Sequence, residues 1–194
     1  MSPRWNLLPA TCCLLLGSSL SFAQTSWDSS PYRIHVWIAF EPSAPFSGNL
    51  RVELPRRLER RATSVIGPVW KLTSEAAPLG AELTILQNLS KLDIQIARSR
   101  LDFSQLDKLM IVKLQRSSAG IQISIREWDV RVQRWLMSTT RQLRQISRLE
   151  ETVLRSVEDA FSPVGRIESV QDNRVVGVMR GASLVSSDAS VTYV

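Results

Sequence analysis

A mixed α/β fold, with α+β as the alternative, is what this sequence predicts. Three observations carry it. Residues 32–40 place Tyr32, Ile34, Val36, Ile38 and Phe40 on one face of a strand, with Trp37 and Ala39 on the other, so the strand is expected to be covered on both sides. Residues 108–115 and 121–125 read as two strands joined by Ser117-Ser118-Ala119-Gly120, a hairpin pattern. Residues 138–161 place Leu143, Ile146, Leu149, Val153, Leu154, Val157 and Phe161 on one helical arc. The prediction is a mixed β-sheet with helices packed on it, a long helix over 138–161 and a C-terminal β-hairpin.

The elements follow in order. Residues 1–23 read as a signal peptide: Arg4, then an apolar run interrupted by Pro9, then Ser21-Phe22-Ala23 as a small-x-small cleavage site. Both cysteines, Cys12 and Cys13, leave with it, so the mature chain is expected to hold no disulfide or thiolate site. Residues 24–31 form a polar leader. A mixed α/β domain spans 32–162, and 163–194 is a β-hairpin and tail that reads as the start of a small β-domain. After the first strand, Leu50, Leu54, Leu58, Ala62 and Val65 recur at helical spacing, continuing through Pro55, so the helix is kinked there or begins there. A short strand over 69–73 and a helix over 81–92 come next. Ile94 and Ile96 alternate weakly, like a strand. Beyond Ile125 the apolar parity changes to Trp128, Val130 and Val132, which calls for a bulge or turn near 126–129. Thr139 and Gln142 suit a capping box, and Pro163 and Gly165 stop the long helix. Residues 166–170 and 174–179 form the last hairpin around Gln171-Asp172-Asn173.

The chain carries 24 Lys plus Arg against 18 Asp plus Glu, a net charge of +6. That balance favours anionic partners in general. Nucleic acid is disfavoured, because no aromatic residues interleave with the arginines as single-strand binding requires. The arginines that point away from the apolar arc are Arg141, Arg144, Arg148 and Arg155, a candidate anion-binding stripe on the long helix. The densest cluster of functional side chains is Arg126, Glu127, Trp128 and Asp129, which with Trp135 forms the candidate binding surface. Glu127 or Asp129 would be the acid or base of a hydrolase, but no nucleophile or base accompanies them. His35, the one histidine, lies mid-strand with no second metal ligand. Glu150 falls inside the helical arc and needs a partner, for which Arg126 is the candidate. No Gly-rich phosphate loop, nucleotide fingerprint or nucleophile elbow occurs, so no cofactor and no enzymatic activity are expected.

The run Leu106-Asp107-Lys108-Leu109-Met110-Ile111-Val112-Lys113, then residues 121–129, then a helix, then Ala160-Phe161-Ser162-Pro163 before a hairpin resembles a group of bacterial exported proteins. In element order it looks like the amino-terminal domains of Tol–Pal propeller proteins and of lipoprotein activators of cell-wall synthases. It departs from the activators in having no lipobox. The resemblance implies an exported, non-enzymatic adaptor, periplasmic or secreted, that binds another envelope protein. An anionic polymer is the alternative partner, and a hydrolase the second alternative. No stable membrane span is expected after signal cleavage.

Overall fold

The computed structural model describes residues 29–42, 46, 48–171, 174–180 and 191–193. The expected signal peptide and most of the leader lie outside the described residues. A five-stranded sheet forms the centre, in spatial order β2-β1-β3-β4-β5. Its strands are β1 (Tyr32–Phe40), β2 (Trp70–Ala76), β3 (Lys108–Ser117), β4 (Gly120–Asp129) and β5 (Arg134–Leu143). β1 runs parallel to both β2 and β3, while β3, β4 and β5 form an antiparallel meander. The sheet is therefore mixed, and the α/β class stands.

The two faces of β1 are both covered, as its sequence requires. On one side, Ile34, Val36, Ile38 and Phe40 meet α1 (Gly48–Val65) through Leu54, Leu58 and Ala62. The same core takes Leu149, Val153, Leu154, Val157 and Ala160 from α4 (Leu149–Ala160). On the other side, Trp37 and Ala39 pack with Leu109, Ile111 and Trp128 beneath α2 (Leu79–Gln87) and α3 (Ile94–Arg98). Helix α1 runs unbroken through Pro55, which is buried. The Ser74 hydroxyl donates to the Pro55 carbonyl at 2.7 Å, and Glu59 accepts the Ser74 N–H at 2.6 Å, stitching α1 to β2. Ile94 and Ile96 lie on α3 rather than on a strand. Asp93 caps that short helix by accepting from the Gln95 N–H.

The long helix over 138–161 is corrected. Residues 134–143 form strand β5, a single 3-10 turn covers Ile146–Arg148, and α4 starts only at Leu149. The helical arc was carried by Leu143 and Ile146, yet Ile146 is exposed and Leu143 is buried from a strand. What the arc concealed is the β-branched pair Thr139-Thr140, paired with Ile125 and Ser124 of β4.

A second, three-stranded antiparallel sheet follows α4, in order β6-β7-β8: β6 (Gly165–Gln171), β7 (Arg174–Met179) and β8 (Val191–Tyr193). Contacts among the described residues tie it to the main sheet. The Tyr32 hydroxyl accepts from the Val164 N–H at 2.8 Å and donates to the Val164 carbonyl at 3.1 Å. Arg180, at the end of β7, binds Asp107 with both guanidinium nitrogens at 2.7 and 3.0 Å.

The β3–β4 hairpin closes on Gly120, whose φ is +123°. A Cβ there would stand 2.3 Å from the Leu143 carbonyl oxygen of β5, and the backbone conformation excludes L side chains independently. Gly120→Ala is expected to cost about 2–3 kcal/mol, read as a lower midpoint in chemical denaturation. An unchanged midpoint would contradict this geometry.

Candidate binding surface

Closure of the β3–β4 hairpin at Ser117–Gly120 places Lys108 opposite Asp129, and Met110 opposite Glu127. Side chains alternate along a strand, so Ile121, Ile123, Ile125, Glu127 and Asp129 all face the α1/α4 core. Lys108 joins them on that face. Its ammonium donates to Glu127 Oε1 and to Asp129 Oδ2, each at 2.5 Å, and to the Ser162 carbonyl at 2.8 Å. Exposure is 1% for Lys108, 0% for Glu127 and 3% for Asp129. The remaining acceptors are also used: Glu127 Oε2 takes the Ser162 N–H, and Asp129 Oδ1 takes the N–H groups of Arg131 and Val132. The Phe161 ring closes over the ammonium, 5.5 Å from its centroid.

The two carboxylates differ in proton affinity. Burial pushes Glu127 up, and Lys108 and Ser162 only partly reverse it. Burial pushes Asp129 up as well, but its hydrogen bonds from Lys108, Val132 and Arg131 together outweigh this and hold it below the ordinary carboxylate range. Chemically the cluster is closed. A base or acid must reach its substrate, and Glu127 is shut off from solvent while Asp129 is almost so.

The change of parity expected at 126–129 is therefore not on β4. That strand runs on regularly, and a charged cluster occupies the core-facing positions where apolar residues were expected. The register does shift between Arg126 and Trp128, but the extra residue belongs to β5, where residues 136 and 137 both stand opposite Glu127.

The five residues of the candidate surface fall on two faces. Glu127 and Asp129 lie in the core just described. Arg126, Trp128 and Trp135 lie on the α2/α3 side, with Trp128 buried and the other two half-buried. The Trp128 and Trp135 rings meet edge-on at 5.2 Å, and the Arg126 guanidinium stacks 4.6 Å from the Trp135 centroid while donating to the Ser90 carbonyl at 2.9 Å. Arg126 consequently cannot partner Glu150, which sits across the sheet on α4. Glu150 is half-buried beside Arg57, Arg60, Arg61 and Ser64 of α1.

The arginine stripe is corrected too. Arg141 is on β5 and pairs with Asp159, Arg144 lies in the following loop, Arg148 precedes α4, and Arg155 alone is on the helix. They do not share a helix face. His35 is structural in its surroundings: Nδ1 lies 2.8 Å from the Thr73 hydroxyl and Nε2 3.3 Å from Glu75, which also accepts from Trp37 Nε1 at 2.8 Å. Burial lowers its pKa, against the pull of Glu75.

Two features escaped the sequence reading. One is Lys108, although the hairpin register predicts its place opposite Asp129. The other is the Asp107–Arg180 pair, seventy-three positions apart in the chain, for which no local pattern exists. The third surface of interest is the outer edge of β5. Ser117 and Gly120 flank a two-residue turn, so they exchange both backbone hydrogen bonds. Counting outward from that pair, Thr139 and Arg141 direct their backbone groups to β4, while Ser138, Thr140 and Gln142 direct theirs away from the sheet. Among the described residues no strand pairs with this edge.

No protein-family model matches the chain, and no curated protein sequence matches it. Solved structures resemble parts of it. TolB from Acinetobacter baumannii is 12% identical with a TM-score of 0.42, covering 80% of this chain, which spans only 38% of TolB. Lipoprotein GNA1162 from Neisseria meningitidis is 11% identical with a TM-score of 0.33, over 68% of this chain and 100% of that one. The C-terminal domain of LpoB from Salmonella enterica is 12% identical with a TM-score of 0.34, over 64% and 90%. The expected resemblance to exported envelope modules is met among these structures. At such TM-scores the likeness carries no inference about function. Among the described residues no helix is long and apolar enough to cross a membrane.

Removing one partner of a buried charge cluster leaves the others uncompensated. Lys108→Met is expected to cost about 3–5 kcal/mol in chemical denaturation. Adding Glu127→Gln and Asp129→Asn to it, which removes the orphaned charges, should restore most of that stability. A single substitution costing under 1 kcal/mol would contradict the burial of this cluster.

Proposed function

We propose that this chain is an exported, non-enzymatic binding module of the bacterial envelope that captures an extended segment of a partner protein along β5. The export pattern of residues 1–23 supports the location. The observation that carries the binding mode is the free edge itself: ten residues of strand whose outward N–H and C=O groups at Ser138, Thr140 and Gln142 have no strand beside them. Main-chain pairing supplies affinity in such an arrangement, and side chains at the strand start supply selectivity. Trp135, held by Arg126, stands at that start. The β5 bulge opposite Glu127 limits regular pairing to its second half.

The hydrolase alternative has little support, since both of its carboxylates are sealed around Lys108. The polymer-binding alternative loses its helix stripe, because its arginines are dispersed over a strand, a loop and a helix.

Proline separates the two sides of β5. Thr140→Pro removes an outward N–H and no bond to β4, a placement that edge strands accept. The exported protein should recover one envelope protein through a high-salt wash. Thr140→Pro should reduce that recovery at least tenfold with little change in melting temperature, whereas Thr140→Val, which keeps the N–H, should recover it fully. Equal capture by Thr140→Pro would refute strand addition. A wild-type dimer that Thr140→Pro converts to monomer would assign the edge to a second copy of this chain instead.

A further inference from the structure

The open edge of β5 carries a charge pattern that backbone pairing alone does not explain. Residues 132–149, which hold β5 and the segment leading to α4, contain Arg134, Arg141, Arg144 and Arg148 and no acidic residue. Arg134 begins the strand, Arg144 follows its last residue, and Arg148 closes the 3-10 turn beyond. All three are exposed, and none has an ion pair among the described residues. We infer that the segment captured by β5 is acidic: an extended run with an uncharged middle, whose ends carry Asp or Glu side chains that meet Arg134 at one end and Arg144 with Arg148 at the other. This rests on the reading of β5 as a strand-adding edge and names the chemistry of its partner.

The acids on the neighbouring elements do not answer these three arginines. On β4, Glu127 and Asp129 are sealed around Lys108. On α4, Asp159 holds Arg141. Placed at 100° per residue, Asp159, Thr152 and Ser156 lie on the flank of α4 next to β5, whereas Glu151 and Glu158 fall on its outer face, where Arg155 of the same helix offsets Glu158. The other face of β5 has no acid at all: the rows that β3, β4 and β5 turn toward α2 hold Lys113 with Ser124 and Thr140, and Gln115 with Gln122 and Gln142. Arg126 stands on that face as well, stacked on Trp135.

The pattern fits one kind of occupant. A second copy of this chain laid along β5 would set the same arginines against each other, and like charges across a strand pair destabilise it. A segment with carboxylates at its ends removes that conflict, because an arginine fork takes both oxygens of a carboxylate. Ser138, Thr140 and Gln142 turn exposed, uncharged side chains to one face, so the middle of the partner suits hydroxyl, amide or β-branched residues. Exposed pairs of this kind add little affinity each. They act on encounter rate and on the choice among partners.

The test uses the isotopically labelled, exported full chain and three synthetic peptides that share a centre of alternating threonine and valine. One is flanked on both sides by paired glutamates, one by glutamines and one by lysines. Binding is read from the backbone amides of Ser138, Thr140 and Gln142 at low and at physiological salt. The glutamate peptide should bind about fivefold tighter than the glutamine peptide, the lysine peptide should bind weakest, and the difference should shrink with salt. Arg134→Gln with Arg144→Gln should erase the glutamate advantage at an unchanged melting temperature, and Thr140→Pro should abolish binding of all three peptides. If the glutamate and glutamine peptides bind alike and Thr140→Pro abolishes both, strand capture stands and the acidic preference is refuted. A glutamate preference that survives Thr140→Pro would mean that the arginines attract anions without the edge, which also overturns the inference. Binding by none of the peptides, or a preference that persists in the double arginine variant, overturns it too.

Discussion

Lys108 sets the geometry of one whole end of this molecule. Its ammonium gathers Glu127 and Asp129 from β4 and the Ser162 carbonyl that follows α4. Glu127 then holds the Ser162 N–H, and Asp129 orders the turn that leads into β5. Four segments are thereby fixed around one buried charge, which is tolerable because each ammonium proton and each carboxylate oxygen in it has a partner. The same junction sends the chain from α4 past Tyr32, whose hydroxyl brackets Val164, into the second sheet. The Arg180–Asp107 clasp lies one residue away in sequence from Lys108, so the polar end of the core and the tie to the second sheet share a foundation.

Much of the architecture is legible in the sequence, for identifiable reasons. β1 declares burial on both faces through Trp37 and Ala39 interleaved with Ile34, Val36 and Ile38, and both cores exist. The β3–β4 hairpin and the helix around Pro55 follow from local spacing and turn chemistry. The failures have a common cause. At 138–143 an edge strand has little to bury on either face, so its period-2 signal is faint and a chance helical spacing from Leu143 onward prevails. At 127–129 the core face is charged, so a pattern of apolar residues loses its phase although the backbone does not. Register could have recovered this: the closure at Ser117–Gly120 alone pairs Lys108 with Asp129. Nothing local predicts Arg180 finding Asp107.

The candidate surface was legible in composition and not in disposition. The sequence offers Arg126 to Asp129 as one cluster, but strand alternation divides it, sending the carboxylates to a sealed core and the tryptophans with Arg126 to the opposite face. That division separates chemistry from recognition. The acidic groups serve the fold. What remains accessible for partners is the outer backbone of β5 beside Trp135.

Carbon-detected NMR titration of the Glu127 and Asp129 carboxyl groups addresses the buried cluster most directly. A closed cluster on Lys108 separates them: Asp129 titrates below the ordinary carboxylate value of 3.8 and Glu127 above its own of 4.5. If both titrate at those ordinary values, as groups on a solvated strand end would, then the cluster is open and the junction built on it is wrong.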